Sequence, residues 1–86
     1  MPEARLLVVE DDKTVGQYVK RGLEEQQYIA DWVEDGRAAL TLASSAHYDL
    51  MILDLRLPGM TGLEVLRTLR DRGLTMPILV LTAQDG

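Results

Sequence analysis

Acidic side chains follow two of the apolar runs in this 86-residue sequence. Glu10 and Asp11 come directly after a short apolar run, and Asp54 ends another. Carboxylates brought close together raise each other's pKa unless a cation neutralises them. A few hard oxygen donors suit Mg²⁺ (or Mn²⁺), beside which a carboxylate can attack phosphorus. Thr82, which follows a third apolar run, could donate its hydroxyl to the transferring phosphoryl group. If folding gathers these groups, the pattern predicts metal-dependent phosphoryl chemistry.

The hydrophobic pattern predicts the elements that must position these side chains. Apolar or alternating runs typical of strands cover residues 5–9, 28–34, 51–54 and 77–81, and runs with helical spacing begin near Lys13, after Gly36 and at Gly62. The spacing predicts that the core-facing side of the first helix carries Val15, Tyr18, Val19, Gly22 and Leu23, and that of the third helix Leu63, Leu66 and Leu69, with Val65 alongside. Strands that alternate with helices over short connections predict parallel pairing, with helices on both faces of the sheet. In such α/β sheets the ligand site lies beyond the carboxyl ends of the strands. We therefore expect Glu10, Asp11, Asp54 and Thr82 to converge there.

Length and composition limit the classes of function. Eighty-six residues are enough for one small domain, so we assign residues 1–86 to a single unit. The formal net charge of −5 argues against direct nucleic-acid binding, which needs clustered basic side chains. The chain has no cysteine and no apolar run of membrane-spanning length, so we expect a cytoplasmic location and no membrane partner.

Other functions fit parts of the pattern. Each acidic residue taken alone could cap a helix or turn, which would leave a structural interaction module without signalling chemistry. A phosphatase of the dehalogenase type needs a second aspartate two residues after its nucleophile, where this chain has Arg56. A flavodoxin-like FMN carrier needs a Gly-, Ser- and Thr-rich loop after the first strand, where this chain has Glu10-Asp11-Asp12.

Three segments in order resemble the receiver domain of two-component response regulators. They are Leu7–Asp12, Asp54–Gly62 and Leu81–Ala83, and the sequence around Asp54 is most similar to that of the OmpR/PhoB group. The resemblance implies a flavodoxin-like (CheY-like) doubly wound sheet with strand order 2-1-3-4. It also implies that a histidine kinase phosphorylates Asp54.

The same resemblance implies a role for each matching residue. Glu10 and Asp11 would hold Mg²⁺ together with Asp54 and the backbone carbonyl of Arg56, and Thr82 would contact the phosphoryl group. The domain would be a phosphoacceptor rather than an enzyme, apart from promoting its own phosphorylation and slow dephosphorylation. The longer parent would be a DNA-binding transcriptional regulator.

The family pattern continues with a fifth strand carrying a lysine, whereas this sequence ends at Gly86. On that pattern we expect an incomplete sheet of four strands and three helices, without an effector domain. The fourth strand would then be an exposed apolar edge, and such edges pair with other chains. We therefore expect a homodimer or a strand-exchanged oligomer.

Overall fold

A computed structural model describes residues 3–81 of the chain. Strands and helices alternate along it, as the hydrophobic pattern predicts. In chain order they are β1 (Arg5–Val9), α1 (Lys13–Glu25), β2 (Ile29–Val33), α2 (Gly36–Ser45), β3 (Leu50–Asp54), α3 (Gly62–Asp71) and β4 (Ile78–Leu81).

The strands form one parallel sheet in the order β2-β1-β3-β4. This result confirms the predicted fold class and strand order. In the register of the sheet, Val9 is opposite Leu53, and Asp54 is opposite Leu81. Because the strands are parallel, the segments that leave β1 and β3 emerge at the same edge of the sheet.

The sheet separates two apolar clusters. The larger cluster lies on the face covered by α2 and α3, and its most buried members include Leu7, Met51, Leu53, Val65 and Leu69. The smaller cluster contains Leu6, Val8 and Ile52, and Val19 and Leu23 of α1 pack against it. Strands buried on both faces account for the nearly continuous apolar runs of β1 and β3.

Polar side chains fix the start of each helix. The Asp12 carboxylate accepts hydrogen bonds from the backbone N–H groups of Thr14 and Val15, at 2.9 and 3.1 Å. Asp35 accepts one from Ala38 at 2.8 Å at the start of α2. Thr61 and Glu64 form a reciprocal capping box at the start of α3. These caps place the three loops that follow β1, β2 and β3.

Two expected helix faces are wrong in detail. Val15, Tyr18 and Leu63 were expected to face the core, but they are 40%, 81% and 47% exposed. In α1 the inward stripe runs through Gly16, Val19 and Leu23, which puts Tyr18 on the solvent side. In α3 the buried stripe is Gly62, Val65 and Leu69, and Leu63 lies about 100° away from its first member.

Within residues 3–81, the longest helix has 13 residues, and none is long and apolar enough to cross a bilayer.

Candidate functional site

Glu10, Asp11 and Asp54 converge at the carboxyl ends of β1 and β3. One carboxylate oxygen from each lies within 4.8 Å of the others. Among residues 3–81, this is the one group of three or more potential ligand side chains at such spacing. The structure therefore brings together three of the residues that the sequence predicted for a metal site.

The three carboxylates differ in their access to solvent. Glu10 is 8% exposed, Asp54 is half-buried, and Asp11 is exposed. A site that is closed on one side and open on the other leaves room for water or for an incoming phosphoryl group.

Backbone hydrogen bonds orient two of the carboxylates. The Asp12 N–H donates to Glu10 Oε2 at 3.0 Å, and the Arg56 N–H donates to Asp54 Oδ1 at 2.9 Å. Each bond engages one oxygen of its carboxylate. The Asp54 side chain is thus held by the turn that follows it, rather than rotating freely.

Burial raises the pKa of the Glu10 carboxyl from 4.5 to about 7. The hydrogen bond from Asp12 opposes this shift, whereas the neighbouring Asp54 and Asp11 carboxyls add to it. A buried carboxyl next to other carboxylates is more easily protonated, because ionisation adds a like charge in a poorly solvated place. The donor set therefore has a charge excess that a divalent cation would relieve.

Close packing fixes the backbone around Asp54. A Cβ atom at Gly62 would lie 2.6 Å from the carbonyl oxygen of Asp54 and 2.7 Å from Cα of Leu55. The Gly62 N–H donates to the Leu55 carbonyl at 3.1 Å, and the Leu55 N–H donates to the Leu81 carbonyl at 3.2 Å. Gly59, with φ of 75°, turns the chain between β3 and α3.

Of the other two predicted site residues, Arg56 and Thr82, the structure describes only Arg56. Arg56 is exposed two residues after the end of β3, and its N–H donates a hydrogen bond to the Asp54 carboxylate. Thr82 lies outside the described residues. Its predicted role therefore stays a prediction.

Trp32 is a contributor that the sequence did not indicate. Its indole Nε1–H donates to the backbone carbonyl of Glu10 at 2.9 Å. The two residues are 22 positions apart, and only the pairing of β1 with β2 brings them together. A glycine at position 16, facing this large ring, is the local signal that could have suggested the contact.

The donor set fits Mg²⁺. It consists of carboxylate oxygens only, and one of the three residues is exposed while another is half-buried, as suits an ion that keeps several water ligands.

Comparison with known proteins finds relatives along most of this chain. The transcriptional activator protein IrlR of Burkholderia pseudomallei is 51% identical over 81 residues, covering 94% of this chain and 35% of IrlR. The transcriptional regulatory protein QseB of Escherichia coli O157:H7 is 44% identical over 82 residues, covering 95% of this chain and 37% of QseB. The chain thus spans about a third of the length of these curated relatives.

A solved structure shares the fold closely. The crystal structure of response regulator protein TrrA from Thermotoga maritima, in complex with Mg²⁺ and BeF, superposes with a TM-score of 0.89. It is 39% identical, and the match covers 95% of this chain and 71% of that chain. Residues 6–86 also match the family described as the response regulator receiver domain. The chain therefore belongs to the response regulator receiver domain family.

Proposed function

We propose that this chain accepts a phosphoryl group on Asp54 and thereby acts as the receiver of a two-component pathway. The observation that carries the proposal is the convergence of Glu10, Asp11 and Asp54 within 4.8 Å at the edge of the sheet. Membership of the receiver family supports the choice of phosphoryl transfer over a structural role for the three carboxylates. The TrrA structure, solved with Mg²⁺ and BeF, supports the same choice.

Receiver domains bind Mg²⁺ at an acidic site, and we assign that role here to particular residues. Asp11 and Asp54 are direct ligands, Glu10 acts through water, and Arg56 contributes its backbone carbonyl. When bound, Mg²⁺ neutralises the carboxylates and the oxygens of the phosphoryl group. The buried position of Glu10 supports an indirect role, because its carboxyl is the least accessible of the three.

Asp54 is the nucleophile in this proposal. One of its carboxylate oxygens forms a bond to phosphorus while the phosphorus–nitrogen bond to a histidine of the kinase breaks. The bonding electron pair returns to the imidazole, and the product is an acyl phosphate on Asp54. The hydrogen bond from the Arg56 N–H orients the attacking carboxylate, and Thr82 donates its hydroxyl to the product.

The domain accepts a group rather than turning over a substrate. Its own catalytic contribution is limited to promoting phosphorylation by small donors and slow hydrolysis of the acyl phosphate. We propose a histidine kinase as partner and control of transcription as output, in a cytoplasmic pathway, because the relatives IrlR and QseB are named as transcriptional regulators. Residues 1–86 form the phosphoacceptor domain in this scheme and do not themselves contact DNA.

Acetyl phosphate with Mg²⁺ tests the proposal directly. Intact-mass spectrometry should show one added phosphoryl group on the wild-type chain, and EDTA should abolish the modification. Asp54→Asn should remove it, whereas Asp71→Asn, an exposed aspartate at the end of α3, should retain it. Modification that persists in Asp54→Asn or without divalent metal would contradict the proposal.

The exposed edge of the sheet supports one further assignment. β4 pairs with β3 on one side and is the last strand of the described sheet, and its Leu79, Val80 and Leu81 are 52%, 37% and 39% exposed. An apolar edge strand favours pairing with another strand. We propose that two copies of the chain associate through β4.

Light scattering after size exclusion measures this association. Leu79→Lys should shift a dimer toward monomer, because a charge on the strand opposes close pairing. Leu63→Lys, at a leucine exposed on α3, is the control and should leave the dimer intact. A wild-type chain that stays monomeric at every concentration would exclude the assignment.

A further inference from the structure

The backbone N–H and the backbone carbonyl of Glu10 both form hydrogen bonds with residues of β2. Its N–H donates to the Val33 carbonyl at 3.0 Å, and its carbonyl accepts the Trp32 indole N–H at 2.9 Å. The first bond continues the pairing of β1 with β2. The second comes from a side chain, so its presence depends on the residue at position 32.

Glu10 connects the hydrogen bond from Trp32, which we call the anchor, to the acidic segment Glu10–Asp12. Its side chain accepts the N–H of Asp12, which in turn caps α1 through Thr14 and Val15. Asp11 lies between these two fixed points. The hydrogen bond from Trp32 therefore sets the starting position of a segment that supplies two of the three converging carboxylates.

The packing of Trp32 fixes where its N–H points. The ring packs against the cluster of Leu6, Val8 and Ile52 under α1. Gly16, in the first turns of α1, also lies against the ring, and an added Cβ there would overlap atoms of the indole. The ring is thus held between the sheet and the backbone of α1, and it has little freedom to turn away from Glu10.

The convergence of like charges gives this anchor a function. Glu10, Asp11 and Asp54 repel one another when ionised, and the repulsion pushes the β1–α1 segment away from β3. We propose that Trp32 is a positioning residue for the metal site, which holds Glu10 and Asp11 near Asp54 through the Glu10 carbonyl. The inference rests on the proposed function, since it concerns the affinity of that site for Mg²⁺.

If Trp32 served only for packing, its replacement would change a different quantity. Trp32→Phe keeps an aromatic ring against the cluster but removes the N–H donor. Loss of packing lowers stability without changing Mg²⁺ affinity in the folded protein. Loss of the anchor weakens Mg²⁺ binding even where the protein is fully folded.

The test is the Kd for Mg²⁺ alone, measured from the amide NMR shifts of Asp11 and Asp54 at a temperature where every variant is folded. Trp32→Phe should weaken binding about fivefold, the effect of losing one neutral hydrogen bond. Replacing Trp32 by benzothienylalanine, which has the indole shape with sulphur in place of N–H, should weaken it similarly. Leu23→Ala removes packing from the same cluster but no side-chain hydrogen bond to Glu10, and it should leave the Kd unchanged.

The wild-type titration separates the two proposals. Trp32 is the only tryptophan of the chain, so its indole N–H resonance is assigned without ambiguity and should shift as Mg²⁺ binds. If the wild-type chain binds Mg²⁺ and both Trp32 replacements bind it equally well, the positioning role is wrong and the proposed function stands. If the wild-type chain does not bind Mg²⁺, both fail.

Discussion

The carboxyl of Glu10 lies within 4.8 Å of the Asp54 carboxyl, and Glu10 is the more deeply buried of the two. This relationship sets the electrostatic state of the site before any cation binds. Burial, reinforced by Asp54 and Asp11, raises the pKa of Glu10 to about 7, so the folded protein takes up a proton that the unfolded chain releases at lower pH.

Glu10→Gln should therefore reduce the pH dependence of stability in metal-free buffer. A carboxyl whose pKa is raised by folding stabilises the fold below its unfolded value of 4.5, and this contribution is lost as the pH rises through about 7. Between about pH 5 and pH 8 the free energy of unfolding of the wild type should fall by about 2 kcal/mol more than that of the variant. Urea unfolding in EDTA measures the difference. Glu25→Gln, an exposed glutamate in α1, should behave as the wild type, and equal pH dependence in all three proteins would contradict the cause assigned to the shift.

Gly16→Ala should destabilise the fold, because the added methyl group would overlap the Trp32 indole. Overpacking of this kind costs about 1–3 kcal/mol, and here it also displaces the ring from Glu10. Gly22→Ala is a matched control in the same helix, since nothing lies within 4 Å of its added Cβ. That variant should gain about 0.5–1 kcal/mol from helix propensity. Urea unfolding of the pair checks both signs, and a stable Gly16→Ala would show that the ring moves easily.

Gly62→Ala should affect the site more than its distance in sequence from Asp54 suggests. The added Cβ would press on the Asp54 carbonyl and on Leu55, both backbone positions that cannot turn aside as a flexible side chain could. We expect a loss of about 1–3 kcal/mol in urea unfolding. We also expect weaker Mg²⁺ binding, which can be measured from the amide NMR shift of Asp54. Leu63→Ala, at the next position, which is 47% exposed, should change neither quantity appreciably.

The order of elements and the strand order could be predicted because they depend on local patterns. Apolar runs, helical spacing and caps such as Asp12 and Thr61 are written in short segments of sequence. The topology then follows from alternation and from the family resemblance. The convergence of Glu10, Asp11 and Asp54 was predictable for the same reason, since parallel strands place their carboxyl ends together.

The features that could not be predicted depend on contacts between distant segments. The Trp32 indole packs against Gly16, which belongs to a different element of the chain. Helical spacing alone predicts Tyr18 in the core, but spacing defines a stripe only approximately, and in the structure Val19 and Leu23 face the sheet while Tyr18 is exposed. The pKa of Glu10 depends on burial, which the sequence does not state.

The hydrogen bond from the Tyr48 hydroxyl to Asp31 Oδ2, at 2.6 Å, should stabilise the contact between β2 and the segment that precedes β3. This bond is the main cause that lowers the pKa of Asp31, so its contribution is present above the unfolded value of 3.8 and is lost as the pH falls below it. Tyr48→Phe should cost about 1.5–3 kcal/mol near neutral pH, as for a hydrogen bond to a charged group, and should lose less stability on acidification than the wild type. Tyr28→Phe, at a half-exposed tyrosine, is the control. The Arg5 guanidinium also donates to Asp31. If Tyr48→Phe loses stability in acid as steeply as the wild type, Arg5 rather than the Tyr48 hydroxyl lowers the pKa of Asp31.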